Sequence, residues 1–237
     1  GPHGMLAGGS MDLRFFHNLG ATVLSRRPLC GGIKSEAWAG TFGAIAGVQM
    51  TDLESSDLIV VWGNNVSYSN LHLAPVLQRL RDRGGKVVVV DPKRIKVAEQ
   101  VDLHLGLRPG TDVVLAFALA AELERRGAFD QDFIYRMVEG AEAFMAQARQ
   151  FSIERAAEIT GLAANEIKQL ASWYQEAEAA TVAIGNGLER NRNGGAGIRA
   201  IFALPALTGK FHHPAGGLLG GSGNLFPKTL GKLTRPD

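Results

Sequence analysis

A doubly wound α/β fold, with a mostly parallel sheet and helices on both faces, is the class this sequence predicts. Three observations support it. Two short apolar runs, Asp57-Leu-Ile-Val-Val-Trp-Gly-Asn-Asn65 and Lys86-Val-Val-Val-Val-Asp-Pro-Lys-Arg94, each stop at a loop bearing glycine or an acid. A nucleotide-binding parallel sheet presents its ligand edge in this way. Residues 70–83 and Asp112 to Arg126 have apolar side chains at helical spacing and end near Gly84 and Gly127, as crossover helices between parallel strands do. A third strand-forming run, Thr181-Val-Ala-Ile-Gly185, enters a loop dense in glycine, asparagine and arginine before a helix begins near residues 195–198.

In chain order, the first run ends at Trp62, Gly63, Asn64 and Asn65. Gly63 lacks a Cβ and asparagine tolerates left-handed geometry, so the backbone there can approach a ligand and aim amides at a phosphate. An Asn-capped strand-to-helix turn is the alternative. The run lacks GxGxxG, which argues against a standard NAD site. The second run ends at Asp91, where a doubly wound sheet places the acid that accepts hydrogen bonds from ribose hydroxyls. Arg94 can pair with a phosphate or stack on a base; alternatively, Asp91 forms the turn before Pro92 and Arg94 is a solvated charge.

After the short run Asp102-Leu-His-Leu-Gly-Leu107, the residues Arg108-Pro-Gly-Thr-Asp112 read as a tight turn and helix start. A carboxylate at Asp112 can accept hydrogen bonds from N1 and N2 of guanine, which adenine does not offer in that pattern; a helix-capping acid is the other reading. Residues 133–151 and 153–178 are rich in alanine and glutamate with breaks near Gly140, Ser152 and Gly161, so several helices precede the strand at Thr181. Beyond it, Gly185-Asn-Gly-Leu-Glu-Arg-Asn-Arg-Asn-Gly-Gly195 offers N–H groups and positive charge to a pyrophosphate, or is simply a flexible turn.

The composition fits a packed soluble chain. In 237 residues, 46% are hydrophobic and 20% charged, enough for one large or two small domains. A net charge of +2 with interspersed signs gives no reason to expect nucleic-acid binding. No apolar run reaches the roughly 20 residues that span a bilayer, no signal peptide is visible, and localisation stays open between cytoplasm and periplasm. His212 and His213 are adjacent and His3, His17, His72 and His104 scattered, without the spacing of a zinc site. The single cysteine, Cys30, lies between Arg26-Arg27 and Gly31-Gly32, a setting that favours thiolate and leaves the sulfur approachable; a small buried residue is the plainer reading.

In order and approximate spacing, Trp62-Gly-Asn-Asn65, Asp91-Pro-Lys-Arg94 and Arg108-Pro-Gly-Thr-Asp112 resemble three segments of the molybdopterin oxidoreductases, the family of dimethyl sulfoxide reductase, periplasmic nitrate reductase and formate dehydrogenase. The glycine-rich loop from Gly185, the helix-like Ala200 to Gly209, Pro214-Ala-Gly-Gly217, and upstream Gly8 to Asp12 and Phe15 to Ala21 extend the resemblance to nearly the whole chain.

The resemblance implies a bis-molybdopterin guanine dinucleotide enzyme performing two-electron or oxygen-atom-transfer chemistry on molybdenum or tungsten. It assigns cofactor binding to Trp62, Gly63, Asn64, Asn65, Asp91, Pro92, Arg94, Arg108, Gly110, Asp112, Gly185, Asn186 and Gly187. Cys30 becomes the candidate catalytic residue and metal ligand. Residues 1–50 would be part of a neighbouring α/β domain holding that ligand loop, 51–210 a Rossmann-like dinucleotide domain, and 211–237 a truncated glycine-rich return segment. One cysteine cannot supply the usual four thiolates of an iron–sulfur cluster, so the cluster is expected in a missing N-terminal region of a longer parent. The expected partners are the rest of that parent and an iron–sulfur electron-transfer subunit, and the 237 residues alone are expected to show no turnover. Two alternatives share the loop pattern: a structural or electron-transfer homologue of the kind found in respiratory NADH dehydrogenase, and another nucleotide-binding domain such as that of thiamine-diphosphate enzymes.

Overall fold

Five successive apolar residues give Leu58–Trp62 no polar face, and the chain uses it as a central strand buried on both sides. The computed structural model describes residues 11–22, 31–44 and 47–220. In chain order its helices and strands are α1 (Met11–Asn18), α2 (Gly32–Phe42), β1 (Leu58–Trp62), α3 (Val66–Ser69), α4 (Leu73–Asp82), β2 (Lys86–Val90), β3 (Leu103–Leu105), α5 (Asp112–Arg125), α6 (Gln131–Met137), α7 (Ala141–Ala148), α8 (Ile153–Thr160), α9 (Ala164–Glu176), β4 (Ala180–Ile184), α10 (Gly194–Leu207) and β5 (Gly217–Leu219).

The strands form one sheet in the order β3-β2-β1-β4-β5, and every pairing is parallel. From β1 the chain steps outward through β2 to β3, then returns to place β4 on the other side of β1. The strand order therefore reverses between β1 and β4, and a crevice opens at such a switch point. Register fixes what stands there. Trp62 lies opposite both Val90 and Ile184, and Val90 opposite Leu105, so Gly63, Asp91, Gly106 and Gly185 follow in one row. At a strand spacing of about 4.8 Å the row is roughly 14 Å wide.

The period-2 alternation of β1, β2 and β4, joined by Leu105 of β3, divides the strand side chains between two cores. Leu58, Val60, Trp62, Val88, Val90, Leu105, Val182 and Ile184 face α2, α5, α8, α9 and α10. Ile59, Val61, Val87, Val89 and Ala183 face Leu73, Val76, Leu77 and Leu80 of α4. Each such side chain contributes about 1.5–3 kcal/mol when fully buried, and helices thus cover both faces as the apolar runs predict.

The same core reaches beyond residues 51–210. Trp38 of α2 packs on Phe202 of α10 with ring centroids 4.6 Å apart, so α2 seals the same face. Among the described residues before 51 there are helices and no strand. At the other end, β5 pairs with β4, and Ser56 Oγ and Thr181 Oγ1 both donate to the Ala215 carbonyl, at 2.7 and 2.6 Å, in the buried approach to it. No helix among the described residues is long and apolar enough to cross a membrane.

At the row of strand ends, a Cβ on Gly185 would lie 2.1 Å from the Gly63 carbonyl oxygen and 2.4 Å from Asn64 Cα, whereas one on Gly40, exposed within α2, would meet nothing within 4 Å. Gly185→Ala is therefore expected to destabilise the chain by about 3 kcal/mol, the upper end for over-packing. Gly40→Ala should stabilise it by about 0.5–1 kcal/mol through helix propensity. Denaturant melts of the two variants check both signs.

Candidate functional site

Gly63, the residue after β1, turns the chain with φ +58°. Its N–H donates to Val90 O at 2.9 Å, and its carbonyl accepts from Gly187 N at 3.0 Å, while Gly185 N donates to Trp62 O at 2.8 Å. The loops after β1 and β4 are thus joined backbone to backbone, an approach that side chains at 185 or 187 would block. Asn64 is buried beneath this crossing. Asn65 starts α3 with its carbonyl, accepting from Tyr68 N and Ser69 N, but its side-chain Oδ1 is buried without a hydrogen-bond partner.

Asp91, after β2, closes an Asx turn: Oδ1 accepts from Lys93 N at 2.9 Å. Its backbone N–H donates to Leu105 O at 3.2 Å. Its carbonyl lies 2.9 Å from His104 Nε2, and because a carbonyl only accepts, that ring nitrogen holds a proton. Pro92 and Arg94 are exposed at the rim.

After β3, Arg108-Pro-Gly-Thr111 forms the expected tight turn, with Gly110 at φ +84° and the Thr111 N–H 3.2 Å from Arg108 O, the pattern of a type II turn. The Arg108 guanidinium turns away from it. It donates to Glu158 O at 2.7 Å and Ile159 O at 3.1 Å, satisfying carbonyls in the last turn of α8. Asp112 is the first residue of α5, where the helix dipole favours an anion. Its Oδ1 accepts from Trp62 Nε1 at 2.8 Å, so the Trp62 indole is buried and turned onto Asp112. Burial raises the Asp112 carboxyl above the usual range, the Trp62 hydrogen bond works against that, and the charge of Asp91 adds to it.

The glycine-rich loop after β4 is a 3-10 turn, Asn186–Arg190, ahead of α10. Asn186 Oδ1 accepts from Lys34 Nζ at 2.8 Å, and Asn193 Nδ2 donates to Gly110 O at 3.1 Å, tying the β3 and β4 loops together. No sequence motif points to Glu189, which is 1% exposed. Its Oε2 accepts from the backbone N–H groups of Gly31 at 2.7 Å and Lys34 at 3.2 Å, across more than 150 residues. The one available signal is that Glu189 is the single acid in a loop rich in glycine, asparagine and arginine.

Backbone segments carrying Trp62 to Asn65, Asp91 to Arg94, Arg108 to Asp112 and Gly185 to Gly187 thus gather at one sheet edge. The Trp62 side chain is buried there, and the exposed Arg108 side chain is tied to the end of α8. Cys30 lies outside the described residues. A cavity of about 340 Å³ lined by Glu122, Arg125, Ile153 and Lys168 lies at the far end of α5, away from this edge.

The molybdopterin oxidoreductase family model matches residues 7–222. The chain is 31% identical over 237 residues to the probable oxidoreductase YoaE of Bacillus subtilis (strain 168), covering 100% of this chain and 35% of that protein. It is 28% identical over 169 residues to formate dehydrogenase H of Escherichia coli (strain K12), covering 71% of this chain and 24% of the relative. The structure of acetylene hydratase from Pelobacter acetylenicus matches with a TM-score of 0.75 and 28% identity, over 87% of this chain and 28% of that one. The chain spans about a third or less of these relatives.

An Asn at 112 keeps an oxygen for Trp62 and removes the buried charge. Because the Asp112 carboxyl is raised in the fold, its ionised form weakens stability above that raised value, and acidification through it restores what was lost. Asp112→Asn should therefore melt at or above the unmutated chain at neutral pH, with the gap closing as pH falls. Thermal melts across that range check the sign, and a variant that melts lower at neutral pH contradicts it.

Proposed function

The chain belongs to the molybdopterin oxidoreductase family, and from that premise we propose that its carboxyl sheet edge binds the guanine nucleotide of a molybdopterin guanine dinucleotide in an oxidoreductase. The observation that carries this reading is the oriented acid at the switch point: Asp112, held by Trp62 at the first turn of α5, beside the acid-bearing turn at Asp91. The protein groups fit the ligand in kind. A buried Asn65 Oδ1 has no partner among the described residues, and the two carboxylates can accept from the N–H and O–H donors that a nucleoside offers.

Asp112 accepts the N1 and N2 hydrogens of guanine; adenine places an acceptor at N1, so its approach leaves a buried carboxylate unsatisfied. Asp91 accepts from ribose hydroxyls. Gly63 and Gly185 to Gly187 bring backbone close to the ligand, and Asn64 and Asn65 supply side-chain amides beside it. Arg94 at the rim supplies charge to a phosphate. Trp62 acts through Asp112, while Arg108 and Gly110 set the turn that delivers it. Bound in this way, the group would supply two-electron or oxygen-atom-transfer chemistry at molybdenum or tungsten, with Cys30 as protein ligand. One cysteine cannot ligate an iron–sulfur cluster, so electrons would enter through other protein, and no turnover is expected from this chain alone.

Calorimetric titration with guanosine and adenosine diphosphates tests the reading. Guanosine diphosphate should bind more tightly by about 10- to 100-fold, the worth of a hydrogen bond to a charged group, and Asp112→Ala should bring the two together. Equal binding by the unmutated chain would overturn the assignment.

A further inference from the structure

Glu189 has more acceptor capacity than the fold uses. One oxygen, Oε2, caps α2 by accepting from Gly31 N and Lys34 N, the cap and third positions of a helix whose own cap residue, Gly31, has no side chain. The other, Oε1, is buried with no hydrogen-bond partner among the described residues. A buried acceptor left without a donor destabilises the fold, and more so when the group is charged. A glutamine would cap α2 equally well through its carbonyl without burying a charge, so helix capping does not account for the second oxygen.

Its position does. Glu189 belongs to the turn after β4 whose Gly187 N–H reaches Gly63 O at 3.0 Å, whose Leu188 side chain lies against Gly63, and whose Asn186 is held by Lys34 of α2. That is the crevice between β1 and β4, where ligands of open parallel sheets bind. We propose that Glu189 Oε1 is the acceptor for an amino group on the second heterocycle of the bound dinucleotide, the 2-amino group of the pterin. This rests on the functional reading above, in which Asp112 already reads the guanine. A ligand with an amino-bearing ring at each end meets two separate carboxylates, a half-buried one on α5 and a buried one on the β4 loop.

Fluorescence titration of the chain with pterin, and with lumazine, which has an oxygen in place of the 2-amino group, tests this directly. Pterin should bind at least about tenfold more tightly than lumazine. Glu189→Gln, which keeps the α2 cap and presents N–H to N–H, should erase that difference while leaving the affinity for guanosine diphosphate unchanged. Failure of the unmutated chain to bind pterin, equal binding of lumazine, or full pterin binding by Glu189→Gln would overturn the assignment. Should the variant not fold, the pterin and lumazine comparison on the unmutated chain decides alone. Absence of guanine preference alongside an intact pterin result would count against the guanine assignment and not against this one.

Discussion

The backbone crossing of Gly63 over Gly185 and Gly187 is the constraint on which the rest of the structure depends. Two parallel strands that end level must send their chains to different helices, and here both loops do so through one point. Gly185 N–H to Trp62 O and Gly187 N–H to Gly63 O, at 2.8 and 3.0 Å, continue the ladder past the last strand residues. Because the crossing leaves no room for a Cβ at 185, the positions of α3 on one side and α10 on the other are set together. The placement of Gly63, Asn64 and the loop after β4 at the edge follows from that fixed point.

Electrostatics at the edge follows from packing. Trp62 is the last residue of β1 and faces the α5 side because strand parity puts it there with Leu58 and Val60. Its indole N–H would be buried without an acceptor, and Asp112 supplies one at 2.8 Å. The same hydrogen bond orients a carboxylate that burial and Asp91 would otherwise push toward its neutral form. One hydrogen bond therefore satisfies the buried indole and fixes the orientation of the carboxylate at the start of α5.

Much of this was legible in the sequence, for identifiable reasons. Valine runs buried on both faces have few other uses, so β1 and β2 could be read directly, and the Pro-Gly turn before Asp112 announced the start of α5. Glycines past α4 and α5 marked their ends, with positive φ at Gly84 and Gly127. Side-chain direction was less legible. The residue string does not reveal that the Trp62 indole faces inward, since that depends on which sheet face α5 covers. Arg108 has its partners some 50 residues away at the end of α8, and no local pattern points there. Glu189 is the extreme case, because its partners lie 155 and 158 residues off.

That long reach changes how the chain divides. A sequence boundary near residue 50 would divide α2 from the parallel sheet, yet α2 shares its core with α10 through Trp38 and Phe202, and a carboxylate from the β4 loop caps its first turn. Residue 31, next to Cys30 in sequence, is thereby hydrogen-bonded to the turn that also contacts Gly63. Movement of the β4 loop would uncap α2, and fraying of α2 would strip Oε2 of both its donors. Since each loss leaves polar groups without partners, the two segments are energetically coupled, and the residue beside Cys30 is tied to the loop after β4 through a single side chain.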